Sequence, residues 1–428
     1  MMRGSVLGVA ACLFATSVPK AAEPIVPQGS PLPRVLPPSL PSAAPGTELP
    51  LLPPPGTEVP DRPVKVTAVA IEGATVYPAR DLAQFTNGLI GPGTPLPKVD
   101  AARQAILQHY RDAGFVLTTV SVKLDATGNL RFIVTEGRIV AVKLDGDIGP
   151  AGVQVLRFLN RLTETVPIDA LTMERYLLLA QDVPGVTVRA VLQPSEGQPG
   201  QLTLVAQVSR KEISGSFSAD NRAFNGTGPN EFLGVLDLNS YTSFGERTEF
   251  SFYHTFPNSQ NFGQVSEEFF VGSSGLKIKI YGGYGQVNPT GTLASTGYQG
   301  TTTVFGTQVT YPLIRTRQQT LNVYGTFDGL ESQIDTGTPK TRASFDSLRV
   351  ARVGADYVRS DILLGASRTA LNAASIRVSQ GLQILGASST GTAASSPRQH
   401  EQINFTKINF EFSRTRPSSP RGRARASH

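Results

Sequence analysis

Four histidines, one cysteine and one pair of adjacent glutamates are the side chains of this 428-residue chain that metal, redox or acid–base chemistry would recruit first. His109, His254, His400 and His428 are scattered, and no two of them stand at metal-ligand spacing. Glu267 and Glu268 are neighbours in an alternating segment. Successive strand residues point to opposite faces, so these carboxylates cannot act as a pair on one bond. No Gly-rich loop or nucleophile elbow follows a strand and opens a helix. The residues therefore give no catalytic, cofactor-binding or metal site, and the chain is expected not to be an enzyme.

Charge and ends say more about address than about chemistry. The formal balance is +6, but Arg414, Arg416, Arg421, Arg423 and Arg425 crowd into one short Pro/Ser/Ala tail. A basic tail can hold nucleic acid or acidic lipid. With no interleaved aromatics to stack bases, residues 415–428 read as a disordered, solvated end, and no nucleic-acid partner is expected. Residues 1–22 read as a signal peptide: Arg3 is the positive start, Gly4 to Phe14 the apolar core, and small residues follow at Ala15-Thr16-Ser17 and Ala21-Ala22. Val9-Ala10-Ala11-Cys12 has the outline of a lipoprotein box behind a short apolar run. If Cys12 leaves with the signal, no cysteine remains for a disulfide.

The elements behind these residues fall into three regions. Residues 23–63 are dense in proline and form an extended, polyproline-like linker that cannot nucleate a core. Residues 64–210 alternate short strands and amphipathic helices. Val64 to Ile71 is a strand with a slip in its alternation, and Pro78 to Phe85 a short helix. In Val99 to Ala113, residues Val99, Ala102, Ile106, Tyr110 and Ala113 share a helical face, and Gly114 ends it. Strands Val116 to Lys123 and Leu130 to Thr135 follow. The order then recurs: strand Ile139 to Leu144, helices Val153 to Leu162 and Ile168 to Gln181, strands Val186 to Leu192 and Leu202 to Val208. A βααββ unit is thus present twice, over 64–137 and 138–210, detectable by pattern and not by identity.

The grammar changes near Lys211. From there to Arg414 come about ten alternating segments separated by Gly/Ser/Thr/Asn-rich turns, and 42 glycines in the chain suit such a turn-rich region. Leu276, Ile278 and Ile280 oppose Lys277 and Lys279. Thr248, Phe250 and Phe252 oppose Glu249 and Ser251, and Leu321 and Val323 oppose Asn322 and Thr326. Ile408, Phe410 and Phe412 oppose Lys407, Asn409 and Glu411. A lysine turned towards lipid at mid-bilayer costs about 2–4 kcal/mol, and the alternation avoids that cost. A soluble β-sandwich also alternates, but here one face stays polar in strand after strand. Residues 211–414 read as an antiparallel transmembrane β-barrel in contact with outer-membrane lipid.

This order of parts resembles the outer-membrane transporters of two-partner (type V) secretion, the ShlB/FhaC/HecB haemolysin secretion and activation family within the Omp85 superfamily. Tyr110-Arg111-Asp112-Ala113-Gly114-Phe115-Val116 is similar to the end of the second helix of the family's first POTRA domain. Phe132-Ile133-Val134-Thr135-Glu136-Gly137-Arg138-Ile139 resembles the junction between its two POTRA domains. Asp182-Val183-Pro184-Gly185-Val186 is similar to the corresponding turn of the second, and Phe405-Thr406-Lys407-Ile408-Asn409-Phe410 to a barrel strand. The resemblance implies periplasmic POTRA domains that capture an unfolded secreted exoprotein by letting an extended segment add to a sheet edge. The porin-like barrel would then conduct it outward without ATP. The edge expected for this is Val116, Thr118, Val120 and Val122, with Ile106 and Tyr110 beside it on the preceding helix.

The sequence departs from the family in two places. The family barrel has sixteen strands, and the Val-Arg-Gly-Tyr type motif of its long inward-folded loop is absent here, Tyr357-Val358-Arg359-Ser360 lacking the glycine. The alternation collapses after Ser413-Arg414, which suggests a frameshift or premature end near residue 414 and an incomplete barrel. Two other readings therefore stand beside secretion: an Omp85-type assembly factor for outer-membrane proteins, and a non-functional truncated remnant.

Overall fold

The computed structural model describes residues 62–223, 225–257, 259–361, 370–388 and 402–416. The expected signal peptide, nearly all of the proline-dense linker and most of the basic tail lie outside the described residues.

The expected single strand over Val64 to Ile71 is two: β1 (Pro63–Val66) and β2 (Ala68–Glu72). Thr67 marks the slip, its N–H donating to the Gly128 carbonyl (2.8 Å) and its hydroxyl to that of Thr127 (3.0 Å). After α1 (Ala79–Leu82) and a 3-10 turn at Ala83–Thr86 comes β3 (Gly91–Pro95), which pairs antiparallel with β1. The pattern Gly-Pro-Gly-Thr-Pro gives no strand signal, so this ladder is invisible in the sequence. Helix α2 (Leu96–Asp112) starts earlier than expected because Pro97 falls in its first turn, where a missing N–H costs nothing. Strands β4 (Thr119–Leu124) and β5 (Asn129–Thr135) complete the unit. The sheet order is β2-β5-β4, with β2 parallel and β4 antiparallel to the centre. A parallel pair demands a crossover, which the helices supply. Leu82, Val99, Ile106, Tyr110, Leu130 and Phe132 fill the space between helices and sheet.

The second unit repeats the plan. Strand β6 (Arg138–Asp145) is followed by α3 (Ala151–Leu159), α4 (Arg161–Glu164) and α5 (Ala170–Gln181). The helix expected over Val153 to Leu162 is therefore split near Asn160. Asp169 caps α5, its carboxylate accepting from the Thr172 N–H at 2.8 Å. Strands β7 (Val186–Pro194) and β8 (Gln201–Arg210) give the order β6-β8-β7.

Ten consecutive antiparallel strands follow: β9 (Ile213–Asp220), β10 (Asn230–Asn239), β11 (Arg247–Phe256), β12 (Gln260–Val271) and β13 (Leu276–Val287). Then come β14 (Gln299–Arg315), β15 (Gln319–Thr336), β16 (Thr341–Asp361), β17 (Ala370–Gly381) and β18 (Thr406–Thr415). They form one sheet in sequence order, and β9 and β18 are its unpaired edges. The expected count of about ten strands and the incomplete barrel are thus what the fold contains. Among the described residues no helix is long and apolar enough to cross a membrane, which says nothing of strands.

Register fixes the faces, because cross-strand partners share a side. Phe250, Val265 and Gly282 are aligned across β11, β12 and β13, and Val353, Val378 and Ile408 across β16, β17 and β18. This outer face carries exposed apolar side chains throughout, Val353 at 69% and Phe410 at 81% among them. Glu249, Glu268, Lys277, Asp328, Arg352, Arg377 and Glu411 occupy the other face. Lys277 and Lys279 point away from the apolar side, as the alternation requires.

Candidate functional site

Strand β4 is an edge of the first sheet, so one side of its backbone faces no other strand among the described residues. Of the residues expected there, Val120 (6% exposed) and half-buried Val122 turn inward onto α2. Val116 and Thr118 precede the strand, which begins at Thr119. Val116 and Leu117 pack instead against the core of the second unit. Thr118 is buried, and its hydroxyl has no hydrogen-bond partner among the described residues. Ile106 and Tyr110 are fully buried and hold the strand from beneath without reaching its outer side. Thr119, Ser121 and Lys123 are the exposed side chains along this edge.

The Glu136-Gly137 junction is a hydrogen-bonded clamp. The Glu136 carboxylate accepts from the N–H groups of Thr75 (2.8 Å) and Val76 (3.0 Å), from the Tyr110 hydroxyl (2.9 Å) and from the Thr75 hydroxyl. Partial burial opposes ionisation, but these donors outweigh it and hold the carboxyl below the usual carboxylate range. Burial foremost, and then the Glu136 carboxylate, push the Tyr110 phenol up. Gly137 is required by close approach, since a Cβ there would lie 2.4 Å from the Leu117 Cβ and 2.6 Å from its carbonyl oxygen. The carbonyls of Gly137 and Gly114 accept from the N–H groups of Ile168 (3.3 Å) and Ala170 (2.9 Å). The clamp therefore ties the α2–β4 region to the second unit.

The second unit is seated on the sheet in turn. Asp182, at the end of α5, receives both Nε (2.8 Å) and Nη2 (2.6 Å) of Arg315. Glu174 accepts from the Arg317 N–H at 2.8 Å, and Arg175 donates to the carbonyls of Pro312 (2.8 Å), Leu313 and Ser274 (both 3.2 Å). Gln154 donates to the Gly272 carbonyl at 2.9 Å. Phe270 enters the core of the second unit, edge-on to Phe158 with ring centroids 5.2 Å apart. These contacts gather the β12–β13 and β14–β15 turns at the end of the sheet where the chain enters from β8. Of these residues only Asp182 is singled out in the sequence, as part of a turn, and none of the pairings is, because each partner lies about a hundred or more positions away.

The polar face of the sheet holds its charges in pairs. Glu268 lies 3.3 Å from Lys277 and 3.8 Å from Arg247, while Glu267 points to the other face and accepts from the Thr248 hydroxyl at 2.5 Å. Asp328 accepts from the Tyr281 hydroxyl and pairs with Arg352. The Arg377 Nε donates to the Tyr324 hydroxyl at 3.1 Å. Each tyrosine lies across a glycine of the next strand: a Cβ at Gly306 or at Gly354 would sit 2.5 Å from the Tyr281 or Tyr324 hydroxyl, respectively. The same face also carries an apolar cluster of Tyr253, Phe262 and Val304 with Leu233 and Leu330, so the wall is polar in part and not throughout. No cluster of potential metal ligands occurs among the described residues.

Residues 64–137 match the family of ShlB-type POTRA domains. None of the curated proteins compared matches the sequence. Among solved structures, CdiB from Escherichia coli is 15% identical with a TM-score of 0.64, over 86% of this chain and 68% of that one. CdiB from Acinetobacter baumannii is 16% identical with a TM-score of 0.49, over 76% of this chain and 63% of that one. The chain thus spans about two thirds of the length of these proteins. Residues 64–137 are a ShlB-type POTRA domain, and over 86% of its length the chain, with its two βααββ units and ten-stranded antiparallel sheet, shares the fold of CdiB.

Proposed function

We propose that this chain is an outer-membrane transporter of two-partner secretion, which receives an unfolded exoprotein in the periplasm and passes it along the polar face of its strands. The observation that carries this reading is a ShlB-type POTRA domain joined to a second βααββ unit that is seated directly on a sheet with a mostly apolar face and a charge-bearing one. The free side of β4 offers main-chain groups to an extended segment, so affinity need not depend on the partner's side chains. The paired charges then present a hydrated path with little net field, which neither traps nor repels a passing chain. No step in this work breaks a covalent bond, and the protein acts as a carrier without cofactor. Folding of the exoprotein outside makes its transit one-way.

The test is to delete the gene in its own host, restore it, and compare the proteins released into the medium. A large exoprotein lost on deletion and recovered with the full chain, but not with a chain lacking residues 64–137, supports the proposal. An unchanged set of released proteins, with instead a fall in correctly assembled outer-membrane proteins, would assign the chain to assembly.

A further inference from the structure

A groove of about 260 Å³ runs along the polar face at β16–β18. Arg352, Ser375, Arg377, Lys407, Asn409 and Glu411 line it. Its donors differ in how they are committed. Arg352 is held by Asp328. Arg377 is fixed through Nε by a tyrosine that is itself seated on Gly354, has the carboxylates of Asp356 and Glu411 nearby, and remains exposed. Lys407 and Asn409 are exposed on β18, two residues apart on the same face. The groove thus offers a guanidinium, an ammonium, a carboxamide and hydroxyls, against the exposed carboxylate of Glu411 and the half-buried one of Asp356, the cross-strand partner of Ser375.

We infer that this groove is a binding track for an extended polypeptide rich in carboxylates and free main-chain carbonyls, with Arg377 and Lys407 as its anchoring donors and Tyr324 as the positioning residue for Arg377. The chemistry fits because an unfolded chain presents unsatisfied carbonyl acceptors at every residue, and guanidinium and ammonium groups meet them without sequence preference. Contacts in water-filled surroundings are individually weak, so the occupant can leave as well as enter. This inference rests on the secretion reading above for the identity of its natural occupant, but not for the existence of the site.

The test uses the full chain in detergent and a fluorescent 20-residue poly-glutamate as probe, with poly-lysine of the same length as the opposite-charge control, read by anisotropy. Arg377→Gln and Lys407→Gln should each weaken poly-glutamate binding about threefold to tenfold. Tyr324→Phe, which keeps the ring on Gly354 but removes the hydroxyl, should give a smaller loss in the same direction. Lys279→Gln, a cation on the same face outside the groove, should change nothing. Equal losses at Lys279 and Arg377, no loss at Arg377 and Lys407, or poly-lysine binding as tightly as poly-glutamate would each overturn the inference. Secretion separates the two readings: groove-dependent poly-glutamate binding without any exoprotein release removes the transport reading and leaves the site. Release with unchanged probe binding in both variants removes the site and leaves transport.

Discussion

At the residue scale the molecule depends on side chains whose role is to place other parts. Glu136 gathers four donors from two segments, so replacing it with glutamine removes the charge that makes those hydrogen bonds strong and leaves an amide N–H₂ facing donors. Glu136→Gln should destabilise the first POTRA unit by about 1–2 kcal/mol, measured by urea unfolding of the full chain followed at the tyrosines. The pH sign follows from the depressed carboxyl: its stabilisation is present above the ordinary carboxylate pKa of about 4.3 and is lost as pH falls through the lower value it has when folded. Glu136→Gln should therefore flatten the acid side of the stability profile and leave the neutral side parallel to wild type. A steep acid loss retained in the variant would place the sensitivity elsewhere. Gly137→Ala tests the same junction by volume alone. Its methyl meets Leu117 at 2.4 Å, so the variant should loosen the joint between the two units, read as faster proteolysis near residue 137.

At the element scale the α5 face and the β14–β15 turn form one joint, and its strength lies in a bidentate pair that is mostly shielded from water. Arg315 is 9% exposed as a side chain and Asp182 31%. Removing one partner leaves the other charge partly buried and unpaired, which costs more than removing both. Asp182→Asn and Arg315→Gln should each lower the temperature at which the second unit detaches, and the double variant should lose less than the sum, read by proteolysis or hydrogen exchange over α5. Full additivity would show that the pair does not couple the two bodies. This joint also marks where sequence reading stops. Period-2 alternation located the barrel strands and their faces because each strand carries its own evidence: Lys277 and Lys279 against Ile278 needs no other segment. The βααββ repeat was legible for the same reason. What α5 rests on was not, since Asp182 and Arg315 lie 133 positions apart and nothing in either neighbourhood names the other. The edge of the first sheet was half legible. Alternation ran on from Val116, but the close approach of Leu117 to Gly137 bends that stretch into the joint and delays β4 to Thr119. Ser121, exposed on β4, is accordingly the position to carry a photo-crosslinker, which should capture the exoprotein while one at exposed Val140 on β6 should not.

At the scale of the whole molecule the sheet is amphipathic across its thickness: one face is mostly apolar, interrupted by the Arg349–Glu331 pair, and the other carries most of the charges beside an apolar cluster around Phe262. That sidedness, more than any single contact, supports the proposal that the bilayer is its solvent, because an exposed apolar wall in water would drive association. Faces of opposite character should answer the same substitution in opposite ways. Val353 is 69% exposed on the apolar side, between Gly325 and Val378 on the adjoining strands. Val353→Lys places an ammonium in hydrocarbon at a cost of about 2–4 kcal/mol near the midplane. Asn322→Lys places the same group on the polar side beside Asp356, its cross-strand partner, where water and a carboxylate receive it. Heat-modified mobility after refolding into lipid vesicles should show Val353→Lys inserting poorly and Asn322→Lys inserting like wild type. Equal insertion of both would mean that the apolar wall does not meet lipid in this protein. The POTRA units would be untouched by either change, so their unfolding serves as the internal control. A defect confined to insertion then belongs to the sheet and its solvent, whereas one shared with the POTRA units would point to folding of the chain as a whole.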